Sequence, residues 1–191
     1  ACEMVAEVLQ YIGDDGIKIK PAEADAMYAG IVIDTNNFMN QAGVRTFEAA
    51  AFLRRNGADV VRVRKLFRDR LEDYRARAEA IQKAEIYHGA FAISVCPSEG
   101  LESPTVVGAQ AANELLDIVG IKASFILTQM GDTIYFSARS IDEINVQIIM
   151  ERLGGGGHRT IAGAQLKGAT IDEAREKLKD LITDMMEKGE I

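Results

Sequence analysis

Two strand-length apolar runs, KASFILTQ at residues 122–129 and TIYFSA at 133–138, meet at Met130, Gly131 and Asp132. A short turn with a glycine free to take positive φ folds two such runs back on each other as an antiparallel hairpin. That hairpin commits the second half of the chain to a sheet. AFAISV at 90–95 supplies another strand, and Ser103, Pro104 and Thr105 open a helix that should run to about Val119 and stop at Gly120. Ser140 and Glu143 form an S-x-x-E pattern, which predicts a capping box and a helix over 141–153. A short strand near 162–166 and a last helix over 171–187 complete a β-α-β-β-α-β-α order. The expectation is a mixed-sheet α/β domain over 86–191 with its own core.

The first half reads differently. Residues 22–29 are helical by pattern, and AGIVID at 29–34 reads as a short buried strand, with Asp34 at its carboxyl end. A helix should follow from Thr46 to Asn56, with Thr46 as N-cap and Gly57 as its stop. The opening residues ACEMVAEVLQYI are already in mid-helix by pattern, so residues 1–58 read as the end of an α/β domain belonging to something longer. Between the halves, Val60, Val63, Phe67, Leu71, Tyr74, Ala78 and Ile81 recur at three- and four-residue steps without an intervening glycine or proline. This spacing predicts one long amphipathic connector helix over 59–85, its other faces a solvated mixture of arginines and acids.

Composition narrows the function. Twenty-two lysines and arginines against 29 acids give a net charge of -7, which disfavours a protein that coats nucleic acid through its overall field. The two cysteines, Cys2 and Cys96, have no CxxC or Cys/His spacing and suggest neither a disulfide framework nor a zinc site. Nothing approaches the roughly 18 apolar residues of a membrane span.

The stretch GGGGHRTIAGAQ, residues 154–165, carries the candidate chemistry. A helix stop needs one glycine; four in succession cost ordering entropy, which favours a loop whose bare N–H groups face an anion. His158, one of only two histidines, stands at its edge and can donate to a phosphate oxygen. The other, His88, carries no signal of its own. No GK[ST] is present, so this is not a P-loop. Arg139 ends the TIYFSA strand region, just before the expected capped helix, so a guanidinium and free helical N–H groups should converge there. The alternative is an exposed arginine paired with Asp142 or Glu143. Asp34, at the lip of the expected strand, is a candidate metal ligand or simply a turn residue.

With IVIDTNNF, VRTFEAAAFLRR and SARSIDEINVQIIMERLGGGGHRTIAGAQL in that order, the chain resembles the DHH/DHHA1 phosphoesterase superfamily. It is most similar to the C-terminal half of the membrane-anchored cyclic di-AMP phosphodiesterases of the GdpP type. The resemblance implies a truncated DHH domain over 1–58, the connector, and a DHHA1 substrate-binding domain over 86–191. It implies a two-manganese site in the whole protein, with Asp34 as the matching ligand here, and hydrolysis of cyclic di-AMP to pApA. Substrate contacts would fall to Gly155, Gly156, Gly157 and His158, with Arg139, Ser140, Arg45 and Thr46 on neighbouring phosphate or ribose. Neither a D-x-D motif nor the DHH triplet occurs in this sequence, and a two-metal hydrolase cannot be assembled from one carboxylate. The expectation is therefore a substrate-holding portion, inactive alone, from the cytoplasmic part of a parent anchored in the cell membrane. Its expected partner is a cyclic dinucleotide or short oligonucleotide, with homodimerisation through the connector stripe as a further expectation. Two alternatives stay open: an oligoribonuclease and 3′-phosphoadenosine 5′-phosphate phosphatase of the same superfamily, and a non-catalytic nucleotide- or RNA-binding DHHA1 module.

Overall fold

The computed structural model describes residues 1–12, 18–39, 41–141 and 143–191. The chain divides into two compact units, Ala1–Arg68 and Asp69–Ile191.

In the first unit the described residues form helices only: α1 (Cys2–Ile12), α2 (Pro21–Asp34), α3 (Val44–Arg55) and α4 (Val60–Leu66). The expected strand AGIVID is the second half of α2. Pro21 starts this helix, the Lys20 N–H donates to Glu23 Oε2 at 2.8 Å, and the helix continues through Gly30 into Ile31 with no proline in its interior. A compact apolar run cannot by itself separate strand from helix, and here the uninterrupted helical lead-in decides. Ile31 is buried with Ala6, Ala24, Ala49, Leu53 and Ala58, whereas Ile33 is 64% exposed. Asp25, also buried, accepts from the Asp59 N–H at 2.6 Å and from Arg62 Nε at 2.7 Å, tying α2 to the start of α4. The N-cap of α3 is Gly43; Thr46 sits three residues inside, its hydroxyl accepting from the Gly43 N–H at 3.1 Å. Gly57 lies at φ 98°, as a helix stop requires.

The single connector helix is broken. α4 ends at Leu66, Arg70 is extended (φ -72°, ψ 152°), and α5 (Leu71–Gln82) restarts beyond it. The apolar stripe that suggested continuity is largely solvated: Phe67, Leu71 and Tyr74 are 40%, 56% and 58% exposed. Without burial, periodicity alone does not hold a helix together. Arg77 of α5 instead reaches back across the break to Asp69 at 2.5 Å and out to Glu114 at 2.7 Å.

The second unit is a six-stranded mixed sheet in the order β1-β2-β3-β4-β6-β5. Its strands are β1 (Glu85–Tyr87), β2 (Phe91–Cys96), β3 (Ala123–Met130), β4 (Thr133–Ser140), β5 (Gly156–Gly157) and β6 (Ile161–Lys167). Only β2 and β3 pair in parallel, joined through α6 (Pro104–Leu115); the hairpin β3–β4 turns at Gly131, φ 61°. α7 (Val146–Arg152) and α8 (Ile171–Glu187) complete the unit. One sheet face carries Phe91, Ile93, Phe125, Leu127, Ile134, Phe136 and Ala138 into a core closed by Ile149 and Met150 of α7 and Leu178 and Ile182 of α8. The other carries Ala92, Cys96 and Ile126 against Ala76 and Ala80 of α5 and Val107, Ala111 and Leu115 of α6. Two buried hydroxyls stitch this second layer: Ser94 donates to the Ala80 carbonyl at 2.5 Å, and Ser124 to that of Ala112 at 2.6 Å. Gly108 lets α6 press close, since a Cβ there would lie 2.6 Å from Thr128 Oγ1. α6 packs across β2, β3 and β4 on this face, which stays partly open along β4 and β6. Tyr135, Ser137 and Arg139 alternate onto it from β4, opposite Gln165, Gly163 and Ile161 of β6.

Candidate functional site

The glycine run is a sequence of backbone solutions. Gly154 ends α7 at φ 80°, its N–H donating to the Glu151 carbonyl at 2.9 Å while the Gly155 N–H reaches Met150 at 2.8 Å. These two bonds form a Schellman stop. The chain then runs tight against the edge of β6: a Cβ on Gly155 would sit 2.1 Å from the Gly163 carbonyl oxygen, and one on Gly157 2.5 Å from the Ala162 Cα. Gly157 is also at φ 147°. Gly156 alone has ordinary φ and nothing within 4 Å of its absent Cβ. The entropic argument for a ligand-facing loop is thereby corrected, since close packing and positive φ account for Gly154, Gly155 and Gly157 without a ligand. Gly156 and Gly157 form β5, the last strand of the sheet, whose pairs run to Gly163 and Ala162. The chain returns into β6 through a tight turn, the His158 N–H donating to the Ile161 carbonyl at 2.7 Å and the Ile161 N–H to that of His158 at 3.2 Å. The His158 ring is exposed at this turn. His88, by contrast, meets Thr183 Oγ1 at 3.2 Å.

Arg139 lies in the row next to this turn, paired with Ile161. Its Nε donates to Asn113 Oδ1 on α6 at 3.0 Å and its Nη1 to the Ala138 carbonyl at 2.8 Å. Both acceptors are neutral. Among the described residues no carboxylate pairs with it, whereas Arg45, Arg62, Arg77 and Arg152 each hold one. Burial pushes the Arg139 pKa down from its ordinary value, with no acid to offset it. Of the two expected pairing partners, Glu143 binds Lys122 at 2.6 Å instead, and Asp142 lies outside the described residues.

The expected S-x-x-E cap does not form. Ser140 is the last residue of β4, its N–H bonded to the Thr160 carbonyl at 3.0 Å and its buried hydroxyl donating to the Ile144 carbonyl at 2.6 Å. Sheet pairing outcompetes the cap. The helix begins instead at Val146, capped by Asn145, whose Oδ1 accepts from the Gln147 N–H at 3.1 Å. The Ile141 N–H is taken by the Lys122 carbonyl at 3.3 Å and the Val146 N–H by the Arg159 carbonyl at 2.9 Å, so the helix start expected directly after Arg139 lies at Val146 instead.

The remaining sequence candidates belong to the first unit. Arg45 forms a two-pronged pair with Glu7 of α1, which raises the arginine's pKa and lowers the glutamate's. Thr46 is buried and donates to Glu3 Oε2 at 2.7 Å. Asp34 ends α2 with its side chain 64% exposed, not at a strand lip. The described residues contain no group of three His, Cys, Asp or Glu side chains able to hold a metal ion. They do not fit a two-manganese centre, and no cleavage step is assigned to them.

An open pocket of about 370 Å3 occupies the partly open sheet face, lined by Thr105, Tyr135, Ser137, Gly154, Gly155, Gly163 and Gln165 among others. Sequence reasoning named the two loop glycines but missed Tyr135, Ser137, Gln165 and Asn113. Strict alternation along TIYFSARS places Tyr135, Ser137 and Arg139 on one face, a signal that could have found the first two. The Asn113 contact joins residues 26 apart and has no local signature.

Comparison with known proteins places this geometry. The DHHA1 domain family matches residues 90–184. The chain is 44% identical over 188 residues to the cyclic-di-AMP phosphodiesterase GdpP of Geobacillus thermodenitrificans, covering 98% of this chain and 28% of that protein. It is 42% identical over 189 residues to the cyclic-di-AMP phosphodiesterase PdeA of Listeria monocytogenes, with the same coverage. The chain thus spans little more than a quarter of the length of these relatives. In fold it is similar to the crystal structure of an exopolyphosphatase-related protein from Bacteroides fragilis, with a TM-score of 0.81 at 20% identity over 96% of this chain and 56% of that one. No helix among the described residues is long and apolar enough to cross a membrane. Residues 90–184 belong to the DHHA1 domain family, within a chain that is similar over nearly its whole length to cyclic-di-AMP phosphodiesterases of the GdpP and PdeA type.

Proposed function

We infer that this chain is the substrate-holding portion of a manganese-dependent phosphodiesterase that opens cyclic di-AMP to linear pApA. It grips the dinucleotide and does not cleave it alone. The observation that carries this reading is Arg139, a guanidinium whose acceptors among the described residues, Asn113 and the Ala138 carbonyl, are both neutral, beside the glycine hairpin. In a chain with an excess of acids, a cation so held keeps its full charge for a ligand, and a phosphodiester oxygen supplies the matching acceptor. His158, exposed at the adjoining turn, and the outer backbone edge of β5 give further donors on the same side of the sheet's end. The 44% identity to a cyclic-di-AMP phosphodiesterase supports the choice of dinucleotide. The metal ions, the hydrolytic step and any membrane anchor are assigned to parts of the parent chain outside these residues.

Calorimetric titration of the chain with cyclic di-AMP and pApA in metal-free buffer tests this reading. Saturable binding is expected, weakened by about 1–3 kcal/mol in each of Arg139→Ala and His158→Ala, as loss of a charge-assisted hydrogen bond requires. Unchanged affinity in both variants would remove the assigned site.

A further inference from the structure

The pocket beside Arg139 has the opposite chemistry to the phosphate end. Among the described residues no ionised side chain lines it; its polar groups are the neutral side chains of Thr105, Tyr135, Ser137 and Gln165 over a floor opened by Gly155 and Gly163. A phosphate gains little in such a setting. A planar, neutral heterocycle gains a floor without side chains and an aromatic neighbour. Tyr135 and Gln165 are direct cross-strand partners on the open face, and Ser137 faces Gly163 in the next pair of that face. Arg139 lies two residues beyond Ser137 and four beyond Tyr135, about 7 and 14 Å along the strand. A dinucleotide with one phosphate at Arg139 is long enough to place a base between Ser137 and Tyr135.

We propose that this pocket is a purine-reading subsite in which Tyr135 packs against the base and the Gln165 amide selects adenine. The proposal rests on the nucleotide-holding reading above and extends it to base identity. Gln165 is exposed and its amide has no hydrogen bond among the described residues, so both its donor and its acceptor are available. A carboxamide matches adenine, whose N7 accepts and whose N6 amino group donates, and mismatches the two adjacent acceptors N7 and O6 of guanine. Because the Gln165 side chain makes no hydrogen bond among the described residues and its backbone carries the strand pairing, replacing it leaves the sheet intact.

The experiment titrates the chain, and its Gln165→Leu and Tyr135→Phe variants, with cyclic di-AMP and cyclic di-GMP. The wild-type chain is expected to favour the adenine dinucleotide by tenfold or more, the scale of one good two-pronged amide-to-base contact. Gln165→Leu should lose about tenfold for cyclic di-AMP and bring the two ligands level, while Tyr135→Phe keeps the preference because the ring remains. An undiminished preference in Gln165→Leu, with binding still abolished by Arg139→Ala, would overturn the base-reading role and leave the phosphate grip standing. Absence of binding by either dinucleotide would overturn both.

Discussion

Gly155 and Gly156 are neighbours in the chain with opposite tolerance for a methyl group, and this contrast tests the account of the glycine run. In Gly155→Ala the new Cβ would sit 2.1 Å from the Gly163 carbonyl oxygen, 2.6 Å from the Ala164 Cα and 2.7 Å from its Cβ. Two of these are backbone atoms of a strand paired on both sides, so relief requires more than an ångström of movement between the loop and β6. Overpacking of this kind costs about 1–3 kcal/mol, and the contact here is at the severe end. Gly156→Ala meets nothing within 4 Å at an ordinary φ. It should be neutral or stabilise by about 0.4–1 kcal/mol, through the reduced freedom of the unfolded chain. The two variants should therefore differ by about 2–4 kcal/mol. Urea unfolding followed by far-ultraviolet circular dichroism, compared at constant m-value, reads this difference directly. If Gly155→Ala is as stable as Gly156→Ala, the glycines are not there for close packing, and the entropic argument for a ligand-shaped loop regains its force.

Asn113→Ala removes the acceptor that orients the Arg139 Nε and should weaken pApA binding by about 1 kcal/mol, whereas Asn113→Asp keeps an acceptor but pairs the guanidinium with a charge and should weaken it further; calorimetry in which Asn113→Asp binds as well as wild type would contradict the role given to a neutral acceptor. Burial raises the Cys96 thiol from 9.0 to about 11, so the folded protein should leave it unmodified by maleimide at pH 8 while Cys2 reacts, as mass mapping of the two cysteines would reveal. The same shift means that the folded state holds this proton more tightly than the unfolded state. Stability is therefore intact below pH 9 and falls between pH 9 and pH 11 by up to about 1.4 kcal/mol per unit; a flat profile over that window would contradict it.

Much of the second unit was legible because its punctuation is local. Gly131 marks the hairpin, Pro104 opens α6, and Thr170 with Glu173 caps α8 at the expected residue, the Thr170 hydroxyl accepting from the Glu173 N–H at 3.2 Å. The errors arose where tertiary contacts decide. AGIVID has the composition of a buried strand, yet it continues a helix whose far side is solvated at Ile33. Ser140 and Glu143 have the spacing of a cap, yet β6 and the neighbouring Thr160 carbonyl claim Ser140 for the sheet. The apolar steps through Phe67, Leu71 and Tyr74 suggested one helix, but those side chains have no core to enter. At the site, Arg139 and the glycine run were recognisable as residues, while the reason for their arrangement was not. The tight run against β6 that needs Gly155 and Gly157, and the Asn113 contact that holds Arg139 without neutralising it, are long-range facts.

A nucleotide lying on the partly open sheet face between α6 and the glycine hairpin leaves its footprint on the backbone amides there. Amide chemical-shift mapping of the nitrogen-15-labelled chain during titration with pApA tests it residue by residue. The perturbed amides should cluster on 135–139, 155–158 and 161–165, with Thr105 and Asn113 at their border. Saturable binding whose shifts fall instead on the opposite sheet face, along α7 and α8, would contradict it.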